Sequence, residues 1–93
     1  MTVRWTPTAL RDLESLHAYI RNDNPSAADE AVEKILAGIE ALSQHPEMGR
    51  IGRVTAIREL VLPPMIVAYK LRRRALEMLA IIHGARKWPD KFR

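Results

Sequence analysis

The side chains able to do chemistry crowd into the second half of this 93-residue chain. Its last stretch, "LEMLAIIHGARKWPDKF" (76–92), ends an apolar run at His83 and then places Arg86, Lys87 and Trp88 in quick succession. Histidine is the side chain whose charge changes near neutral pH, so His83 is the first candidate for moving a proton. A histidine at a strand end also serves as a structural hydrogen-bonding group, and both readings stand for His83. Arginine offers a planar fork of donors that matches a phosphate, which makes Arg53, Arg58 and Arg86 candidates for gripping one. For Arg58 the competing role is an ion pair with Glu59 or Glu77, or a bond to a backbone carbonyl. Trp88 can stack on a base or on a partner's side chain, or cap the core below the last strand. Tyr69 has a proton to donate, but it lies in an apolar run, where a packed ring with a tethered hydroxyl is the stronger expectation.

Charge follows the same asymmetry. Residues 1–45 carry four basic side chains (Arg4, Arg11, Arg21, Lys34) against seven acidic ones, a net of −3, whereas residues 46–93 carry eleven basic against four acidic, a net of +7. A half of that sign suits polyanions or acidic partners, or else is a solvated basic face. The run Arg72-Arg73-Arg74 reads as a basic hairpin tip with the same two options. With no cysteine, disulfides, thiolate metal sites and a cysteine nucleophile are excluded. No apolar run approaches the length of a membrane span, and "MTVRWTP" lacks the pattern of a signal peptide, so a soluble cytoplasmic protein is expected.

The elements that must position these residues can be read from period and punctuation. Val3 to Trp5 is a short β-prone run, followed at once by Thr6-Pro7, an N-cap with proline at the first helical position. Leu10, Leu13, Leu16 or His17, and Ile20 then recur at helical spacing to about residue 22. Asn24-Pro25 repeats the device and launches a second helix with the stripe Ala28, Val32, Ile35, Leu36, Ile39 and Leu42. Pro46 ends it near His45. His17 and His45 read as structural, the first on a helix stripe and the second at a helix end, where it complements the dipole.

After the loop "HPEMGRIGRV" the period changes to that of strands: 57–62, 65–71 and 76–83, separated by Pro63-Pro64 and by the arginine run. Short links make these three an antiparallel meander, and the helix hairpin must cover one side of it. The result is a single α+β domain over residues 1–93, in the order β-α-α-β-β-β.

Taken in order, a short strand, a helix hairpin, "HPEMGR" (45–50), "IREL" (57–60), a strand ending "VAYKL" and a last strand ending "IIHGAR" (81–86) resemble the RelE/ParE superfamily of bacterial toxins. The resemblance spans essentially the whole chain. It implies an antiparallel sheet with a helix hairpin packed on one face. It also implies the toxic half of a type II toxin–antitoxin pair, held inactive in a hetero-oligomer by a cognate antitoxin, with no cofactor and no membrane.

The superfamily's branches differ in chemistry. RelE-like members resemble ribonucleases that cut mRNA in the ribosome, and ParE-like members are known as inhibitors of DNA gyrase. Metal-free RNA cleavage needs a base, an acid and cations on the scissile phosphate. Here the alternative enzyme would use His83 with Arg58 and Arg86. RelE-like chains, however, tend to carry an arginine ahead of the strand that ends in this tyrosine, as in "YRLVY", where this chain has "PPMIVAY". They also tend to place a catalytic tyrosine or second histidine after the last strand, where this chain offers only Trp88 and Phe92. The ParE-like branch is therefore expected, with Arg53, Arg58, His83, Arg86, Lys87 and Trp88 as a partner-binding surface and DNA gyrase as the target; ribosome and mRNA are the alternative.

Overall fold

The computed structural model describes residues 1–83. Strand β1 (Thr2–Trp5) leads into helices α1 (Pro7–Arg21) and α2 (Pro25–Gln44). Strands β2 (Arg50–Ile51), β3 (Arg58–Leu62), β4 (Met65–Arg72) and β5 (Ala75–His83) follow. They form one five-stranded sheet in the order β1-β5-β4-β3-β2. No helix among the described residues is long and apolar enough to cross a membrane.

Both helix starts are fixed by local chemistry. The Thr6 hydroxyl accepts the Ala9 amide at 3.1 Å, and the Asn24 side chain accepts the Ala27 amide at 3.1 Å. These bonds satisfy donors that a helix leaves without partners. Thr6 also docks α1 on the sheet, since its hydroxyl donates to the Met78 carbonyl at 2.8 Å.

The sheet is mixed rather than antiparallel throughout. β1 runs parallel to β5, pairing Thr2 with Ala75 through Trp5 with Met78. Two-residue links force antiparallel pairing only among β3, β4 and β5, whereas β1 is tied to the rest by the helix hairpin and is free to take either direction. It fills the edge of β5 that the meander leaves open. Where β1 stops, the Asp12 carboxylate on α1 accepts the Ile81 amide of β5 at 3.0 Å and so caps the exposed edge. The two-residue β2, inside the loop expected at 45–54, is too short to produce a readable period.

One face of the sheet packs on the helices through Ile35, Ile39 and Leu42 of α2, Leu16 of α1, and Leu60, Val67, Tyr69, Leu76, Met78 and Ile81. A second buried cluster, Ile57, Ala68, Leu79, Ala80 and Ile82, lies on the other face. Ala80 and Ile82 belong to it because of a bulge: Ala68 pairs with Ala80 but Tyr69 pairs with Met78, so Leu79 is the extra residue. The extra residue reverses the alternation, and the positions that would have faced the helices beyond it face away. Leu10 and Leu36, read as members of the apolar stripes, are 48% and 47% exposed on the outer side of the hairpin. The expected stripes were wider than the face that the sheet covers.

Ala56, in the turn before β3, has φ of 66°, a left-handed conformation that a Cβ disfavours. Replacing it with glycine removes that strain at the cost of some unfolded-state entropy. Ala56→Gly is expected to stabilise the chain by about 0.5–1 kcal/mol, read as a higher urea midpoint with unchanged m-value.

Candidate functional site

The connection from α2 to β2 is pinned to the sheet on both faces, and the residues that pin it include those singled out for chemistry. Arg58 and Tyr69 are register partners on β3 and β4. Both project toward the helix side, as their strand neighbours Leu60 and Val67 do. The Tyr69 ring is fully buried. Its hydroxyl donates to the Pro46 carbonyl and accepts the Gly49 amide, each at 3.0 Å. Beside it, Arg58 Nη1 donates to the Gly49 carbonyl at 2.8 Å and to the Glu47 carbonyl at 3.4 Å. Burial pushes the Tyr69 phenol above its ordinary value of 10.0, against the opposing pull of the Gly49 amide and the Arg58 charge. A phenol held this way keeps its proton at neutral pH.

On the opposite face Glu59 does the same work with charge. Its carboxylate is 1% exposed. Oε1 accepts from Arg50 Nη2 at 2.8 Å and Nε at 3.1 Å, and Oε2 accepts the Arg53 amide at 3.0 Å, with Arg53 Nε at 3.5 Å. Burial alone would raise the carboxyl. The Arg53 amide, the Arg50 bonds and the two guanidinium charges outweigh it and hold the group below its ordinary 4.5. Glu59 and Arg50 did not figure among the sequence candidates. The available signal was a carboxylate inside the apolar strand "IRELVL", which must find donors if it is buried.

His83 lies elsewhere. It ends β5 opposite Met65, whereas Arg58 stands opposite Tyr69. Four strand positions and two strand spacings separate them, about 13 Å along the sheet and about 10 Å across it. The described structure therefore does not bring His83 and Arg58 onto one phosphate. Among the described residues no hydrogen bond or ion pair engages the His83 ring. Arg86, Lys87 and Trp88 lie outside the described residues. His17, on α1, contacts Asp29 of α2 at 2.9 Å and links the two helices, in keeping with a structural role.

Residues 3–88 match the sequence family described as ParE toxin of type II toxin-antitoxin system, parDE. Y4kP of Sinorhizobium fredii, a protein named as a toxin, is 42% identical over 90 residues, covering 95% of this chain and 93% of that one. Toxin RelE3 of Caulobacter vibrioides is 45% identical over 49 residues, 53% of each chain. Among solved structures, one from the chromosomal ParDE toxin–antitoxin system of P. aeruginosa superposes with a TM-score of 0.81 at 25% identity, over 89% of this chain and 95% of that one. The order of elements and these likenesses agree, and the chain belongs to the ParE toxin family of type II toxin–antitoxin systems.

Proposed function

We propose that this chain is a cytoplasmic toxin that inhibits DNA gyrase by binding it, and that a cognate antitoxin neutralises it in a hetero-oligomer. The observation that carries the reading is the position of Arg58 and His83, two of the three groups that the ribonuclease alternative would use, and of the Tyr69 hydroxyl. Arg58 bonds to the Gly49 and Glu47 carbonyls, Tyr69 to the Gly49 amide and the Pro46 carbonyl, and His83 stands four strand positions along the sheet from both. Groups committed to holding a loop are poorly placed to stabilise a transition state, which needs acid, base and cations converging on one atom.

The discriminating experiment gives the purified toxin to gyrase in a supercoiling assay and to translating ribosomes with mRNA. Blocked supercoiling with intact mRNA is expected. His83→Gln, which keeps a polar side chain of similar reach, is expected to remain toxic in cells lacking the antitoxin. A general acid–base residue contributes about 10²–10⁴ in rate and would not tolerate that change. Codon-positioned mRNA cleavage, abolished by His83→Gln, would make the chain a RelE-like endonuclease instead.

A further inference from the structure

The pleat and the register gather basic side chains on one end of the sheet that the toxin's fold does not require. Leu71, Leu76, Met78, Val3 and Trp5 pack toward the helices, so their neighbours Arg4, Lys70, Arg72 and Glu77 project from the other face. Arg4 and Lys70 both stand opposite Glu77, one on each side of β5. Arg72 Nη2 reaches the same carboxylate at 3.2 Å. Arg73 and Arg74, exposed in the β4–β5 turn, continue the row beyond it. On the helix side of the same end, Glu47 lines a cavity of about 510 Å³ with Arg72, Met1 and Met48, while Glu59 on the outer face is already matched by Arg50 and Arg53. Counting Glu47 on the helix side of the same end, five cations among the described residues stand against two carboxylates here, a net of +3.

We infer that this end of the sheet is a contact site for the phosphate backbone of nucleic acid, read without regard to sequence. Two features favour that partner over an acidic protein. Four of the five cations are arginines, whose fork matches phosphate. Among the described residues, moreover, no large apolar side chain is exposed on β4 or β5. A protein interface draws most of its energy from apolar and aromatic anchors at its centre, whereas phosphate binding needs only charge and counterion release. Strand spacing sets Arg4, Glu77 and Lys70 about 5 Å apart across the face, and Arg72 lies about 7 Å further along, a grid on the scale of successive phosphates.

The test is binding of the full-length toxin to fluorescent random-sequence duplex DNA, and in parallel to single-stranded RNA, by anisotropy across a salt series. With about 0.9 counterions released per neutralised phosphate, three uncompensated cations predict about a 40-fold loss of affinity for duplex between about 50 and 200 mM salt. The triple variant Arg72→Ser, Arg73→Ser, Arg74→Ser leaves Arg4 and Lys70 balanced by Glu77 and Glu47, and its loss should shrink to less than about 3-fold. Arg73→Glu with Arg74→Glu, which leaves the Arg72–Glu77 pair intact, should bind more weakly still. Arg21→Ser, at the opposite end of the helix hairpin, should behave as wild type. The arm that shows the steep slope identifies the nucleic acid. No binding in either arm at low salt, an unchanged slope in the triple variant, or tighter binding to polyglutamate at matched charge would each overturn the inference.

Discussion

Gly49→Ala is expected to destabilise the chain by about 2–4 kcal/mol. A Cβ at this position would meet the Tyr69 hydroxyl and lie 2.6 Å from Cε1 and 2.8 Å from Cζ of the ring. No glycine among the described residues has positive φ, so Gly49 is needed for room rather than for backbone freedom. The ring is fully buried among core side chains and cannot swing into solvent. Relief requires moving either the loop or the ring, and either movement breaks the bonds from the Gly49 amide and to the Pro46 carbonyl. Overpacking costs about 1–3 kcal/mol, and a buried donor left without a partner a similar amount.

Thermal or urea unfolding measures this directly. For a domain of this size each kcal/mol corresponds to about 4–8 °C in Tm. Should Gly49→Ala fail to fold, Tyr69→Phe provides the second arm. It removes the hydroxyl without adding bulk, and about 1–2 kcal/mol of loss is expected. The two changes act on one contact, so the double variant should lose at least about 1 kcal/mol less than the sum of the singles. Strict additivity would mean that the loop is not held through Tyr69.

Much of this arrangement was legible in the sequence where the determining chemistry is local. Thr6-Pro7 and Asn24-Pro25 announce their helices because a cap and a pre-set φ act within one turn. A tyrosine in an apolar strand must tether its hydroxyl, and Tyr69 does; Arg58 took the backbone-carbonyl option. The separation of His83 from Arg58 was also within reach. The two-residue links at 63–64 and 73–74 pair Leu62 with Met65 and Arg72 with Ala75, and counting outward puts Arg58 beside Tyr69 and His83 near Met65. What stayed hidden depends on partners distant in the chain. The direction of β1 is decided at β5, and the bulge at Leu79 carries no glycine to mark it. The buried role of Glu59 depends on where a two-residue strand places Arg50.

Glu59 supplies the second large effect, and here the variable is pH. Its folded carboxyl titrates below the ordinary value of 4.5, so the folded state holds the charged form more tightly than the unfolded chain does. The associated stability is therefore fully present above about pH 4.5 and is lost as pH falls through the lowered folded value. Glu59→Gln fixes the group in a neutral form and sets its amide N–H against the donors of Arg50 or Arg53. The two guanidinium groups are more than half exposed and can regain water, so they do not become stranded charges. The expected cost at neutral pH is about 1–3 kcal/mol, short of what a fully buried orphaned ion would impose. Other carboxylates also protonate in acid, so the informative quantity is the gap between wild type and Glu59→Gln. That gap should be widest at neutral pH and narrow steadily below about pH 4.5. Melting temperatures of both proteins at matched ionic strength from neutral to strongly acidic pH measure it. A gap that stays constant across the range would show that the charge on Glu59 is not what anchors Arg50 and Arg53 to the sheet.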